Sequence, residues 1–236
     1  MENRHVFIIA DIEGSSGCWD RQSASFLTPE WGRACLEMTR DVDTVAKALF
    51  DADVHKITVK DFHRTGYNLI RSYLDSRVNL VSGYRKGPVP GIGKPPRASS
   101  VMFLGMHAAS GSAGFLAHTL TSRIKKLTVN GYLWAEVDFF SALLGLFGIK
   151  PLFFSGCPVA CAQAKNTMPG ITCFEIDKSQ GRKNFEAADW RTRLGHAAVM
   201  SLKNRATFPC MPRGPFKAVI TFRRGKSAAA IVARRW

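Results

Sequence analysis

The chain has 236 residues, 46% hydrophobic and 22% charged, a globular composition that excludes a disordered or collagen-like polymer. At this length a chain buries most of its unfolded surface and needs neither disulfides nor a structural metal to stay folded, so a metal bound here would serve chemistry. The 33 Lys and Arg against 18 Asp and Glu leave a net charge of +15, but the basic residues form short clusters without interleaved aromatics, the pattern of a solvated surface rather than a nucleic-acid face.

The opening stretch MENRHVFIIADIEG has too short an apolar run before its carboxylates for a signal peptide. The apolar region at 139–154 is interrupted by Gly145, Gly148, Lys150 and Pro151, so no membrane span is expected. Cys18, Cys35, Cys157, Cys161, Cys173 and Cys210 contain no C-x-x-C pair, which removes zinc-ribbon and thioredoxin-type readings and points to a reduced, cytoplasmic compartment.

Residues 6–10 form a compact apolar run ending at acids, the signature of a buried strand. Thr28-Pro29 is a helix entry, with Thr as cap and Pro in the first turn. Behind it Trp31, Cys35, Met38, Val42, Val45 and Leu49 trace the stripe of an amphipathic helix. Short strands are expected at 56–60 and 101–104, and at 127–129 ahead of the turn pair Asn130-Gly131. A buried helix is expected over 137–147, followed by a strand at 152–154. The stretch GPVPGIGKPPR at 87–97 reads as a stiff irregular loop and not a phosphate loop, because Pro95 follows Lys94 where a metal-binding hydroxyl would be needed. A helix near 187–203 and a strand near 217–222 close the pattern.

This alternation predicts an α/β fold, a mostly parallel central sheet flanked by helices, with a smaller C-terminal α+β portion. Residues 1–180 would form the metal-binding catalytic region, 181–224 a helix and strand completing the same unit, and 225–236 a basic tail. In such sheets ligands gather at the carboxyl ends of the strands. There the sequence places Asp11 and Glu13 in DIEGSSG, Asp61 and His63 in KDFH, His107 in FLGMHA, His118 in FLAHT, and Glu136. Carboxylates and imidazoles together suit a divalent metal, zinc foremost, and they exceed what one four-coordinate ion takes. Two metals sharing a carboxylate would use them all. Asp11 and Glu13, two apart in extended chain, face one side, and Gly14 would let the backbone turn without blocking the pocket. Taken singly, each has a plainer use: D-x-E pairs cap helices, and Glu136 suits the acidic first turn of its helix. Cys157, at a strand end, is a weaker nucleophile candidate, since small residues there also suit close helix–sheet packing.

Together these segments, with NGYLWAE and the strand ending FFSG, resemble the DppA-like D-aminopeptidases, a family of binuclear zinc metallopeptidases, over roughly residues 5–180. The resemblance implies that Asp11, Glu13, His63, His107 and Glu136 bind two zinc ions, with Asp11 as bridge. It further implies that His118 is the catalytic histidine and that Asp61 orients a metal-bound imidazole. The implied activity is removal of the N-terminal residue, D-configured in the family, from short peptides by zinc-activated water. The implied assembly is a ring-type homo-oligomer. The chain departs from the family in VDFFSA, where Phe140 replaces a small or polar residue, and at Cys157, where an acid is usual; both changes bear on substrate rather than on the metal set. The rival readings are a two-metal hydrolase of another amide or phosphoester bond, and a non-catalytic polyanion-binding protein that keeps the fold.

Overall fold

A computed structural model describes residues 4–224; the expected basic tail at 225–236 lies outside the described residues. The central sheet has six parallel strands: β1 (His5–Ala10), β2 (Lys56–Asp61), β3 (Asn79–Val81), β4 (Ser100–Met106), β7 (Lys150–Gly156) and β8 (Thr172–Glu175). Their order is β3-β2-β1-β4-β7-β8. Between β4 and β7 the chain makes a hairpin of β5 (Ile124–Val129) and β6 (Tyr132–Leu133), which pairs with β9 (Ala218–Phe222) as a separate antiparallel sheet.

Four helices cover the central sheet: α1 (Pro29–Asp51), α2 (Glu136–Gly145), α3 (Pro158–Thr167) and α4 (Ala187–Ser201). Strand alternation sorts β1 between two cores. Val6, Ile8 and Ala10 pack with α1 and α4, whereas Phe7 and Ile9 pack with α2 and α3. The α1 stripe runs as the sequence predicts, and the Thr28 hydroxyl caps it by accepting from the Trp31 amide at 3.0 Å. No described helix is long and apolar enough to cross a membrane.

The chain leaves β1 toward β2 on one side, while β4 lies on the other. The order therefore reverses between β1 and β4, and a crevice opens where their carboxyl ends diverge. Below it the two backbones are pressed together. The Gly14 amide donates to the Gly105 carbonyl at 2.7 Å, and a Cβ on Gly14 would stand 2.4 Å from the Met106 carbonyl oxygen. Gly105, at φ +71°, admits no side chain either, since its Cβ would meet the Asp11 oxygen at 2.2 Å. Gly14 is thus required by close approach to β4, not by clearance of the pocket as its place in the sequence suggests. The β4–β7 register shifts between Phe103 and Met106, an irregularity that re-aims the next side chain, His107.

Candidate metal centre

Asp11 and Glu13 leave β1, His63 leaves β2, His107 leaves β4, and Glu136 opens α2. These five sequence-predicted residues are buried together in the crevice. His118, from the loop between β4 and β5, joins them at its mouth. The side chains fall into two groups whose ligating atoms lie within 4.8 Å of one another: Asp11, Glu13 and His63, and His107, His118 and Glu136. Asp11 reaches both. Its Oδ1 stands 3.1 Å from His63 Nδ1 and its Oδ2 3.4 Å from His107 Nε2. Glu13 Oε2 lies 3.2 Å from His63 Nδ1, Glu136 Oε2 lies 3.4 Å from His107 Nε2, and Glu13 Oε1 lies 3.8 Å from His118 Nε2.

Each imidazole is aimed by its other nitrogen. His63 Nε2 lies 3.1 Å from the Ala24 carbonyl, His107 Nδ1 3.1 Å from that of Ala108, and His118 Nδ1 2.9 Å from that of Leu116. A carbonyl only accepts, so those ring nitrogens carry the hydrogen and donate. The opposite nitrogens turn into the crevice, where once deprotonated they can offer lone pairs to a cation, the arrangement that fixes the tautomer of metal-bound histidine. The rings of His107 and His118 stack at 3.8 Å, 14° from parallel. Glu136 is held in turn by the Leu120 amide, which donates to Oε1 at 2.7 Å.

The donor set fits divalent cations on an observation independent of residue type. Glu13 Oε2 and His107 Nε2 are buried without a hydrogen-bond partner among the described residues, a cost a bound cation removes. Burial and the neighbouring Glu13 push the Asp11 carboxyl up to about 6. Burial opposes charge on Glu13 as well, but the imidazoles of His63, His107 and His118 outweigh it and hold Glu13 well below the usual carboxylate range. Burial also disfavours charge on the two inner imidazoles. Glu13 and Asp11 overcome this at His63, raising it to about 11, and Glu136 leads the groups that raise His107 to about 10.

Without metal both inner rings are therefore protonated at neutral pH, and a cation must displace those protons. Zinc loading of metal-free protein should release about two protons per chain, and affinity should rise roughly a hundredfold per pH unit between pH 7 and 9. Titration calorimetry in buffers of different ionisation enthalpy measures this directly. Binding without proton release would contradict the placement of His63 and His107 as ligands.

Asp61 departs from its expected role, since it touches neither imidazole. As the last residue of β2 it shares the face of Ile57 and Val59, which packs toward α1. There its carboxylate accepts from the Asn68 and Leu69 amides at 2.5 and 2.6 Å and from the Asn68 side chain at 2.8 Å. Asn68 also donates to the His63 carbonyl at 2.7 Å. Asp61 thus braces the backbone that carries His63. Cys157 is buried in the second core at the entry to α3, packed rather than presented.

Other supports carry no sequence motif. Lys178 donates from Nζ to the carbonyls of Ser15 at 2.5 Å and Cys18 at 2.7 Å, over the Trp19 ring. Asp41 of α1 accepts from the Ser16 amide and hydroxyl at 2.8 and 2.6 Å, and Arg191 of α4 ties Asp41 to Glu37. The loop that follows Asp11 and Glu13 is thereby clasped from the C-terminal half of the chain. Only Asp41 left a trace in the sequence, as an acid beside the apolar stripe of α1.

A model of the family described as D-aminopeptidase matches residues 5–234. A D-aminopeptidase of Bacillus subtilis (strain 168) is 23% identical over 179 residues, which cover 75% of this chain and 65% of that relative. The matched part thus spans just under two thirds of the relative's length. Among solved structures, the Zn-dependent D-aminopeptidase DppA from Bacillus subtilis, described as a self-compartmentalizing protease, superposes with a TM-score of 0.84 at 20% identity. That match covers 93% of this chain and 82% of that one, and at such identity it establishes the fold.

Proposed function

The chain belongs to the D-aminopeptidase family, and from that premise we propose that it is a zinc-dependent aminopeptidase removing the N-terminal residue, D-configured, of short peptides. The observation that carries this reading is the convergence of three carboxylates with three imidazoles, each ring anchored behind on a backbone carbonyl. In it, Asp11, Glu13 and His63 would hold one zinc ion and His107 and Glu136 a second, with the Asp11 carboxylate within reach of both groups. Zinc supplies a Lewis acid that polarises a carbonyl and lowers the pKa of water to about 7.

The chain's own residues do the rest. The three buried carboxylates offset most of the charge of two divalent ions. His118, with Nδ1 committed to Leu116, has Nε2 free to take a proton and return it to the departing amine. Lys178 and Arg191 keep the Asp11–Glu13 loop in register, so residues 4–224 act as one unit. The six free cysteines suit a reduced cytoplasm. The self-compartmentalizing character of the structural neighbour supports a homo-oligomer.

Zinc-loaded protein should cleave D-aminoacyl amides and short peptides faster than their L counterparts. A chelator should abolish the activity and added zinc restore it. Turnover that survives complete chelation, or no turnover on any aminoacyl substrate, would overturn this assignment.

A further inference from the structure

The cleft that leads to the metal centre has about 260 Å³ of space and walls of one chemical character. Phe62, Tyr84, Leu120, Phe139, Phe140 and Leu143 line it around His118 and Glu136. Phe140 is locked in the core of α2 and meets Phe62 edge to face at 4.6 Å and 78°. Trp134 steadies Phe139 in the same manner at 4.8 Å and 74°. Phe140 and Phe139 are thus held by packing and do not close freely over a small ligand. An apolar cavity of about 150 Å³ already accepts a benzene ring, so the cleft has room for a large side chain with backbone attached. Outside the metal-centre residues, its lining contains one charged group, the cationic Arg64.

Asp11, His63, His118 and Glu136 of the metal centre line the same cleft, so the reacting end of a substrate reaches them through it. The side chain of the residue being removed then lies along the aromatic walls. Resting on the aminopeptidase reading, we infer that this cleft is the side-chain subsite for the N-terminal residue and that it selects bulky apolar residues, Phe and Leu, over Ala and Lys. Burying a phenyl or isobutyl group removes apolar surface from water at both partners, whereas a methyl leaves the walls unfilled. A lysine side chain meets Arg64 and no carboxylate beyond the metal centre.

The test is kcat/KM of the full-length, zinc-loaded protein on Phe-, Leu-, Ala- and Lys-glycinamide in both configurations, with Ala-Phe-amide as the arm that carries bulk on the second residue. Phe and Leu should exceed Ala by at least about tenfold, with Lys lowest. Phe140→Ala should lower the Phe-to-Ala ratio at least about tenfold. Leu143→Phe, which narrows the cleft at a half-buried wall, should lower the same ratio and decides the matter if the first variant does not fold. Hydrolysis with Ala equal to or above Phe, or a preference that follows the second residue, overturns the subsite while leaving the aminopeptidase reading intact. No hydrolysis of any substrate overturns both.

Discussion

His118→Ala should lower kcat by about a hundredfold or more while the zinc content of the protein stays unchanged. General acid–base groups contribute about 10²- to 10⁴-fold, and His118 has the placement for that task. Its side chain is 25% exposed, against 2–6% for the other imidazoles and carboxylates of the centre, so it faces the cleft rather than the interior. Its Nδ1 hydrogen is committed to the Leu116 carbonyl, and its ring is held flat on His107. The loop around it is under tension: Leu116 and Leu120 sit at φ +46° and +60°, in the left-handed region that non-glycine residues avoid. Strain of this kind costs about 1–3 kcal/mol per residue and persists where surrounding contacts enforce it, here the Leu120 amide bonded to Glu136. Metal analysis beside steady-state kinetics separates the roles. A variant that loses zinc would make His118 a ligand, as its grouping with His107 and Glu136 permits. A variant with normal kcat would remove it from the reaction.

Asp11→Asn should lose at least one zinc ion per chain and about a thousandfold or more in kcat/KM, from forfeiting several kcal/mol of electrophilic stabilisation. The two oxygens of Asp11 face the two inner imidazoles of the centre, at 3.1 Å from His63 and 3.4 Å from His107. An amide of the same shape presents one oxygen and an NH₂ donor, which no cation accepts as a ligand. The Ile12 amide, which donates to Asp11 Oδ1 at 2.9 Å, would keep an Asn side chain oriented with its oxygen on the His63 side. The loss should therefore fall first on the His107 half. Zinc analysis of the variant, with its circular dichroism as a control for folding, reads this out. Full zinc occupancy would contradict the bridging role.

The parallel strands β1, β2, β4 and β7 and the long α1 were legible because each is a run of uniform periodicity punctuated by acids, Gly or a Thr-Pro cap. The strands β3 and β8 were not, since each has only three or four residues at a sheet edge and no alternation to read. Nor was α3, which packs through Ala160, Cys161 and Ala164, small side chains that leave almost no amphipathic signal. The separate β5-β6-β9 sheet joins segments about ninety residues apart, a pairing that local pattern does not encode. At the candidate metal centre, strand-end position was enough to pick out Asp11, Glu13, His63, His107 and Glu136 as residues that converge in one crevice. It misjudged Asp61, where the parity of β2 sends the carboxylate to the opposite face. It also had no means to find Asn68, Lys178 or Arg191, whose roles exist only once distant segments meet.

Zinc content tests the two-ion centre most directly: elemental analysis of the intact purified protein, after dialysis against metal-free buffer, alongside its peptidase activity. Two zinc ions per chain, lost together with activity on chelation, is the expected result. One ion or none in fully active protein would contradict it.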